Sequence, residues 1–530
     1  MRLVISKTGL ILACGAFPVL LRLLLAIWAV HPSPAIHDEF SYLLAADTFA
    51  SGRLTNPPHP MWKHFETLQE LQRPTYASKY PPGQGLILAV GKVLFGDPLI
   101  GVWLSAGFMC GAICWMLLEW LPMRWVLVGE LLTVAQYATG SYWMDSYWGG
   151  CLTAAGGALV VGAVPRLLRG GRRLTASLML GIGLSILAMT RPYEGTLLAV
   201  SAGAAGLWMG IRAVQAGKGT FLKKFGITLL PAAIVLAATA GFLAFDNWRI
   251  TGHSWEFPYM AYEHQYRSGQ PFFRWQSLHA PPTFNNQAMQ SNYDYENVLI
   301  VRGRTWKGFI YRILEVLEIR WPQGTLFSTL ILRVPFAVLT LLMMPWLFRR
   351  RDMLLPLVCF WAVIIGISLV FIYEEHYAAP ITGVKILLAV ESLRYLCARL
   401  WRWFHLRRLS WAIASVLLLA IIGHGLHSAF PPDQRIWSIS VERPRVVSEL
   451  NKLPGKQLVI VRYTPGHNLH DEWVYNSANI DQSKIVWARE LDPISNANLV
   501  RYFHGRRAWL LKPDEPLPRL EPYWFADMLR

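Results

Sequence analysis

His37-Asp38-Glu39-Phe40-Ser41-Tyr42 follows directly on the first long apolar run, residues 8–30. Two adjacent carboxylates just beyond a hydrophobic span bring acids to a membrane surface. That placement serves chemistry or ion handling better than anchoring. Whether residues 8–30 are a span is decided by the rest of the chain.

The sequence is 54% hydrophobic and only 16% charged, against about a quarter charged in soluble proteins. Its 24 tryptophans fit the aromatic belts of a membrane protein. The net charge of +17 does not mark a nucleic-acid face, because Arg and Lys sit in short clusters between apolar runs, the pattern of cytoplasmic loops. The six cysteines, Cys14, Cys110, Cys114, Cys151, Cys359 and Cys397, lie in or beside apolar runs. They show neither a disulfide framework nor metal-ligand spacing and read as small buried hydrophobes. The first apolar run is long and many follow, so it reads as an uncleaved helix rather than a signal peptide.

A bilayer core of about 30 Å needs roughly 17–25 apolar residues per helix. Spans are expected near residues 8–30, 98–121, 125–141, 149–168, 174–190, 194–213, 225–245, 326–348, 353–373, 378–396 and 410–428, or about eleven. With the N-terminus cytoplasmic, alternate loops carry Arg124; Arg166, Arg169, Arg172 and Arg173; Arg212, Lys218, Lys223 and Lys224; Arg349 to Arg351; and Arg394, Arg399, Arg402, Arg407 and Arg408. This register follows the positive-inside rule and puts the C-terminal segment outside.

The loops assigned outside carry acids, aromatics or both. The first, residues 31–97, holds the acidic pair. Within it residues 38–50 read as an amphipathic helix lying on the membrane, and residues 83–96 as a second interfacial helix. Ser141 to Gly149, Arg191 to Gly195, the long loop 246–325 and Tyr373 to Tyr377 follow. Residues 1–430 thus form a polytopic domain. In residues 431–530 short apolar runs at Gln457–Val461, Lys484–Trp487 and Ala508–Leu511 alternate with helix-compatible stretches at Asn468–Ala478 and Ser495–Tyr502. That alternation predicts a small extracytoplasmic α/β domain with a mostly parallel sheet.

Asp38 and Glu39 cannot both grip one atom, since adjacent helical residues face different ways. One can act as base while the other orients a neighbour, and low-dielectric surroundings are expected to raise the pKa toward neutrality. The pair equally suits the first turn of a helix, where the dipole favours anions; the two roles are compatible. Lys79 precedes Tyr80-Pro81-Pro82-Gly83, which holds the backbone extended, and suits a lipid phosphate or plain headgroup contact. Arg53 and Arg191 are similar candidates. Lys385 lies inside an apolar run and is expected to face a cavity or pair with an acid such as Glu391. Arg22 and Glu130, within spans, are expected to pair structurally. Tyr42, Tyr80, Tyr142, Asp145, Tyr147, Trp148, Glu194, Glu375 and His376 are candidate substrate-binding residues, and the aromatics are equally at home in an interfacial belt. His37, His59, His64, Glu375 and His376 show no metal-ligand spacing.

An Asp-Glu pair after the first span, a Lys/Tyr-Pro-Pro-Gly segment (Lys79 to Gly83), a short helix ending Leu94-Phe95-Gly96-Asp97, and Arg191-Pro192-Tyr193-Glu194-Gly195 after a span together resemble the GT-C superfamily of membrane glycosyltransferases. The similarity lies with the branch of protein O-mannosyltransferases and aminoarabinose transferases and covers roughly residues 8–245. It implies transfer of a hexosyl or pentosyl group from a polyprenyl-phosphate donor to an acceptor hydroxyl, with inversion. By resemblance Asp38 is the general base, Glu39 positions it or the sugar, and Lys79 holds the lipid phosphate. No cofactor and no divalent metal are implied. Neither the mannosyltransferases' sugar-binding trefoil nor the aminoarabinose transferases' tail is found, so a protein, lipid or glycan acceptor remains open. The implied location is the bacterial inner membrane, with the active site outside.

A glycolipid flippase is the alternative. It predicts ionisable or helix-breaking residues near mid-membrane in paired halves, whereas here the polar signals gather in outer loops. A receptor-like scaffold would leave the first outer loop unexplained.

Overall fold

In the computed structural model the apolar runs fold into a helical bundle capped by a C-terminal α/β layer. Described are residues 6–27, 31–138, 141–169, 173–216, 225–317, 334–404 and 439–523, with scattered positions between 405 and 438. The expected span at 410–428 lies largely outside them.

Seven helices are long and apolar enough to cross a membrane. They are α1 (Lys7–Leu25), then, beyond α2 (His37–Ala50) and α3 (Pro82–Phe95), α4 (Pro98–Leu117); and, beyond α5 (Met123–Tyr137) and α6 (Tyr142–Asp145), α7 (Cys151–Arg169), α8 (Arg173–Thr190), α9 (Pro192–Gln215) and α10 (Phe225–Thr251), with Arg351–Ser368 as the seventh. Each matches an expected span. Of three further expected spans, 326–348 is described from Val334 on, as the helix Val334–Phe348, and residues 326–333 lie outside the described residues. Met123–Tyr137 has 15 residues, short of the bilayer core at about 1.5 Å per residue. Thr382–Phe404 is long enough but carries Lys385, Glu391 and several arginines. Asp97 caps α4 through the Leu99 N–H at 2.9 Å, and Pro98 sits in its first turn, where a missing N–H costs nothing.

α4 and α7 are the most enclosed spans, whereas α10 shows most of its surface. α7 packs against α4, α8 and α9. A Cβ at Gly157 of α7 would overlap the Pro380 carbonyl oxygen. This close approach seats the 3-10 turn Glu375–Ile381 directly on the bundle.

α2 departs from the expectation of a helix lying on the membrane. Ten of its 14 residues are buried. Tyr42 belongs to the core of the bundle, whereas Leu44 and Phe40 belong to two clusters built mainly from C-terminal residues. Apolar residues spread around the whole helix rather than one face, which is the pattern of a buried helix. Phe40 lies parallel to the Tyr475 ring at 4.3 Å and under the Arg443 guanidinium at 4.9 Å.

After α10 come α11 (Pro258–Arg267), α12 (Gln287–Arg304) and α13 (Trp306–Val316). The segment between α2 and α3 contributes the two-residue strands β1 (Glu70–Leu71) and β2 (Ala77–Ser78), which pair antiparallel. The C-terminal sheet contains β3 (Lys456–Val461), β4 (Ile485–Arg489), β5 (Arg506–Leu511) and β6 (Leu520–Pro522) in the order β4-β3-β5-β6. Only the β5–β6 pair is antiparallel, so the sheet is mostly parallel as expected. Its helices are Ile439–Lys452 and Pro493–Tyr502. The stretch from Asn468 to Ala478 forms a single 3-10 turn, Leu469–Asp471, instead of a helix.

Candidate active site

The acidic pair occupies the first turn of α2, and each carboxylate has its own task. Glu39 accepts the backbone N–H of Ala35 at 2.7 Å and of Tyr147 at 2.9 Å. It therefore ties α2 to the segment between α6 and α7, where Gly149 and Gly150 take positive φ values open to glycine. Burial raises Glu39 to about 7 against those backbone bonds. Asp38 receives the Tyr80 hydroxyl and stands 2.8 Å from His37 Nδ1. Burial pushes Asp38 up, but His37, Tyr80 and Lys79 outweigh it and hold the carboxyl well below its usual range. The raised pKa expected for the acidic pair is thus found at Glu39 and reversed at Asp38, because Asp38 faces cationic and donor groups and Glu39 only backbone amides.

Tyr80 stacks on Tyr42 at 4.5 Å. Lys79 points into a cage from α11, with its Nζ 4.6 and 4.5 Å from the ring centres of Tyr259 and Tyr262 and 3.6 Å from Glu263. Arg267 bridges Glu263 at 2.8 Å and Glu296 of α12 at 2.6 Å. Two cations and two carboxylates thus share one buried network. Burial lowers the Lys79 pKa, and Glu263 and Glu296 only partly offset this.

Arg191, between α8 and α9, is placed differently. Its guanidinium lies over the Tyr377 ring at 4.3 Å, and no carboxylate comes within ion-pair distance of it among the described residues. Burial disfavours its charge, yet Tyr42, Tyr377 and Glu194 around it hold the proton more strongly. The Glu375–Ile381 turn completes this side. Tyr142 Oη lies 3.1 Å from His376 Nδ1, and Trp148 packs on the same imidazole at 5.0 Å. Burial and the Arg191 charge keep His376 neutral. Burial and nearby Asp38 raise Glu374 to about 7. Glu375 is buried in the same turn.

Asp38, Glu39, Lys79, Arg191, Tyr42, Tyr80, Tyr142, Tyr147, Trp148, Glu194, Glu375 and His376 therefore gather around one end of α2. Three candidates do not join them. Arg53 lies beyond the opposite end of α2, about 20 Å along a 14-residue helix. Asp145 pairs with Arg22 of α1, a structural pairing of the kind expected for Arg22. Lys385 lines a separate cavity with Gln136, Tyr137 and Thr340, while Glu391 binds Arg350 and Arg394 at 2.7 Å each.

The structure adds residues not singled out in the sequence: Tyr259, Tyr262, Glu263, Arg267, Glu296, Glu374 and Tyr377. Helical spacing carried a signal for some of them, since Tyr259, Tyr262, Glu263 and Tyr266 share one face at intervals of three and four. His470 of the C-terminal domain stacks on His37 at 5.7 Å, a contact that no local pattern announces. Among the described residues no three His, Cys, Asp or Glu side chains converge to hold a metal.

No protein-family profile matches the sequence, and no curated protein matches it either. Solved structures match the fold throughout. ArnT from Cupriavidus metallidurans in the apo state aligns over 95% of this chain and 93% of its own, at TM-score 0.51 and 11% identity. The same protein bound to undecaprenyl phosphate aligns over 96% and 93%, at TM-score 0.50 and 13% identity. The Archaeoglobus fulgidus oligosaccharyltransferase in complex with Zn and sulfate aligns over 94% of this chain and 67% of its own, at TM-score 0.52 and 10% identity. The chain shares the multi-span helical fold of these structures and carries an α/β domain at its C-terminus.

Proposed function

We propose that this chain transfers a sugar from a polyprenyl-phosphate donor to an acceptor hydroxyl at the outer face of the membrane. The observation that carries the reading is the Asp38 carboxylate, held by Tyr80 and His37 in one cluster with Arg191. A base and a leaving-group stabiliser are what such a displacement requires. The acceptor oxygen attacks the anomeric carbon, its proton passes to Asp38, and the bond from that carbon to the phosphate oxygen breaks. The departing phosphate gains negative charge, which Arg191 offsets. Attack opposite the phosphate inverts the anomeric centre.

Lys79, already neutralised by Glu263, acts at longer range on the same phosphate. Glu39 sets the position of α2 against the Tyr147 loop. Tyr142, Trp148, Glu194, Glu375 and His376 line the sugar. The bound undecaprenyl phosphate of the similarly folded ArnT supports a polyprenyl donor. The transferred group is a hexose or pentose, the acceptor is a protein, lipid or glycan, and the setting is a bacterial inner membrane with the N-terminus cytoplasmic. The test uses the purified chain in liposomes with a labelled polyprenyl-phosphate sugar and a panel of acceptors. Release of polyprenyl phosphate with formation of the opposite anomer is expected. Movement of intact donor across the bilayer without release would overturn the reading in favour of a flippase.

A further inference from the structure

The outer assembly contains a second concavity that shares no residue with the Asp38 cluster. Residues 60–64 of the first outer loop form one wall and residues 491–502 of the C-terminal domain the other. They enclose a cleft of about 430 Å³, within the range of small-ligand sites. The walls are held together by His64, which is buried, with its ring nitrogens 2.8 Å from the Arg489 carbonyl and 3.2 Å from the Ser495 carbonyl. Phe65 behind it packs against Phe503. The cleft is therefore formed before any ligand arrives, which lowers the cost of binding.

None of its ten lining residues is acidic, while Lys63 and Arg501 both line it and both are exposed; the carboxylates next to it are engaged, Asp492 by the Ser495 hydroxyl at 2.6 Å and Asp481 by the Tyr502 hydroxyl at 3.1 Å. Among the described residues neither cation makes an ion pair, and Arg501 donates to Asn498 Oδ1 at 3.0 Å. Lys63 Nζ and the Arg73 guanidinium lie 6.0 and 5.2 Å from the centre of the partly exposed Trp62 indole. Tyr502 adds a second exposed ring. A flat aromatic face takes the apolar side of a pyranose. Asn498 and Ser495 offer hydrogen bonds to hydroxyls, and the two cations select negative charge. We infer that this cleft binds an anionic oligosaccharide, independently of the transfer reaction at Asp38.

The probe is tri-galacturonic acid, titrated calorimetrically into the full-length protein in detergent, with maltotriose and tri-glutamate as neutral and peptide controls. Tri-galacturonate is expected to bind at least about tenfold more tightly than either control, and more weakly as salt rises from about 0.05 to about 0.5 M. Lys63→Ala and Arg501→Ala should each weaken binding about tenfold, as for the loss of a charge-assisted contact. Trp62→Ala should weaken it as much. Because Lys63 and Arg501 are exposed, their variants should unfold at the wild-type temperature. Four outcomes would each overturn the inference: no heat with tri-galacturonate, equal binding of maltotriose, equal binding of tri-glutamate, or undiminished binding by the Lys63→Ala/Arg501→Ala double variant. None of them bears on sugar transfer, so failure here leaves the Asp38 reading standing.

Discussion

Tyr80 donates its phenolic hydrogen to Asp38 while its ring stacks on Tyr42, one helical turn along α2. One side chain thus fixes both the charge and the direction of the carboxylate. With His37 on its other oxygen, the Asp38 carboxyl is held below its usual range, in the ionised form that the proposed reaction requires of it.

This arrangement sets a pH dependence. The folded-state pKa of Asp38 lies below its unfolded value. Its ionisation therefore contributes stability above about pH 3.9, and that contribution is lost as pH falls through the folded value. Catalysis follows the same sign, with the base present down to unusually low pH. Tyr80→Phe removes one of the groups holding the carboxyl down, so the acid limb of the kcat/KM profile should move to higher pH. An unmoved limb in that variant would mean that Asp38 is not the titrating base.

The two cations, buried Lys79 and half-buried Arg191, should separate in mutants. Arg191→Gln removes a guanidinium with no carboxylate partner among the described residues and should weaken polyprenyl phosphate binding by tenfold or more, of the order of about 1.5–3 kcal/mol for a charged contact. Lys79→Gln breaks the balance of the Glu263–Arg267–Glu296 network and should act mainly on stability. Removing one partner of a buried charge group costs about 3–5 kcal/mol. Lipid binding and thermal unfolding measured on both variants check the order; the reverse order would make Lys79 the phosphate ligand.

Gly157→Ala places a methyl group against the Pro380 backbone. Backbone cannot yield as a side-chain tip does, so a cost of about 1–3 kcal/mol is expected. The turn carrying Glu375 and His376 must shift away from α7. Turnover should fall further than the amount of folded protein does, as read by activity per folded molecule after thermal unfolding.

Phe40→Ala tests the attachment of the C-terminal domain. It removes the ring between Tyr475 and Arg443, at about 3–5 kcal/mol for a buried phenylalanine. Limited proteolysis should then cut near the C-terminal domain before the bundle. Wild-type resistance would show that the domain is held elsewhere.

Much of the site was legible because its parts lie in short, chemically odd stretches. Acids directly after an apolar run, Lys79 ahead of two prolines, and Arg191 at the start of a span are visible without a fold. The missing pieces depend on distant contacts. The neutralising of Lys79 comes from α11 and α12, nearly two hundred residues along the chain. Asp145 looked available until Arg22, buried in α1, was seen to claim it. The burial of α2 was legible in principle, since Phe40 and Leu44 lie on one side of the helix and Tyr42 and Ala46 on the opposite side. Local sequence could not show that a C-terminal domain would cover part of it.

The most direct test of the central claim is donor consumption by wild type and Asp38→Asn, purified in the same lipid with the same labelled polyprenyl-phosphate sugar. The asparagine keeps the shape of the side chain and its place in the first turn of α2 while removing the base. Both proteins should bind donor, and only the wild type should turn it over. Equal turnover by Asp38→Asn would contradict it and leave Asp38 as a helix-end anion.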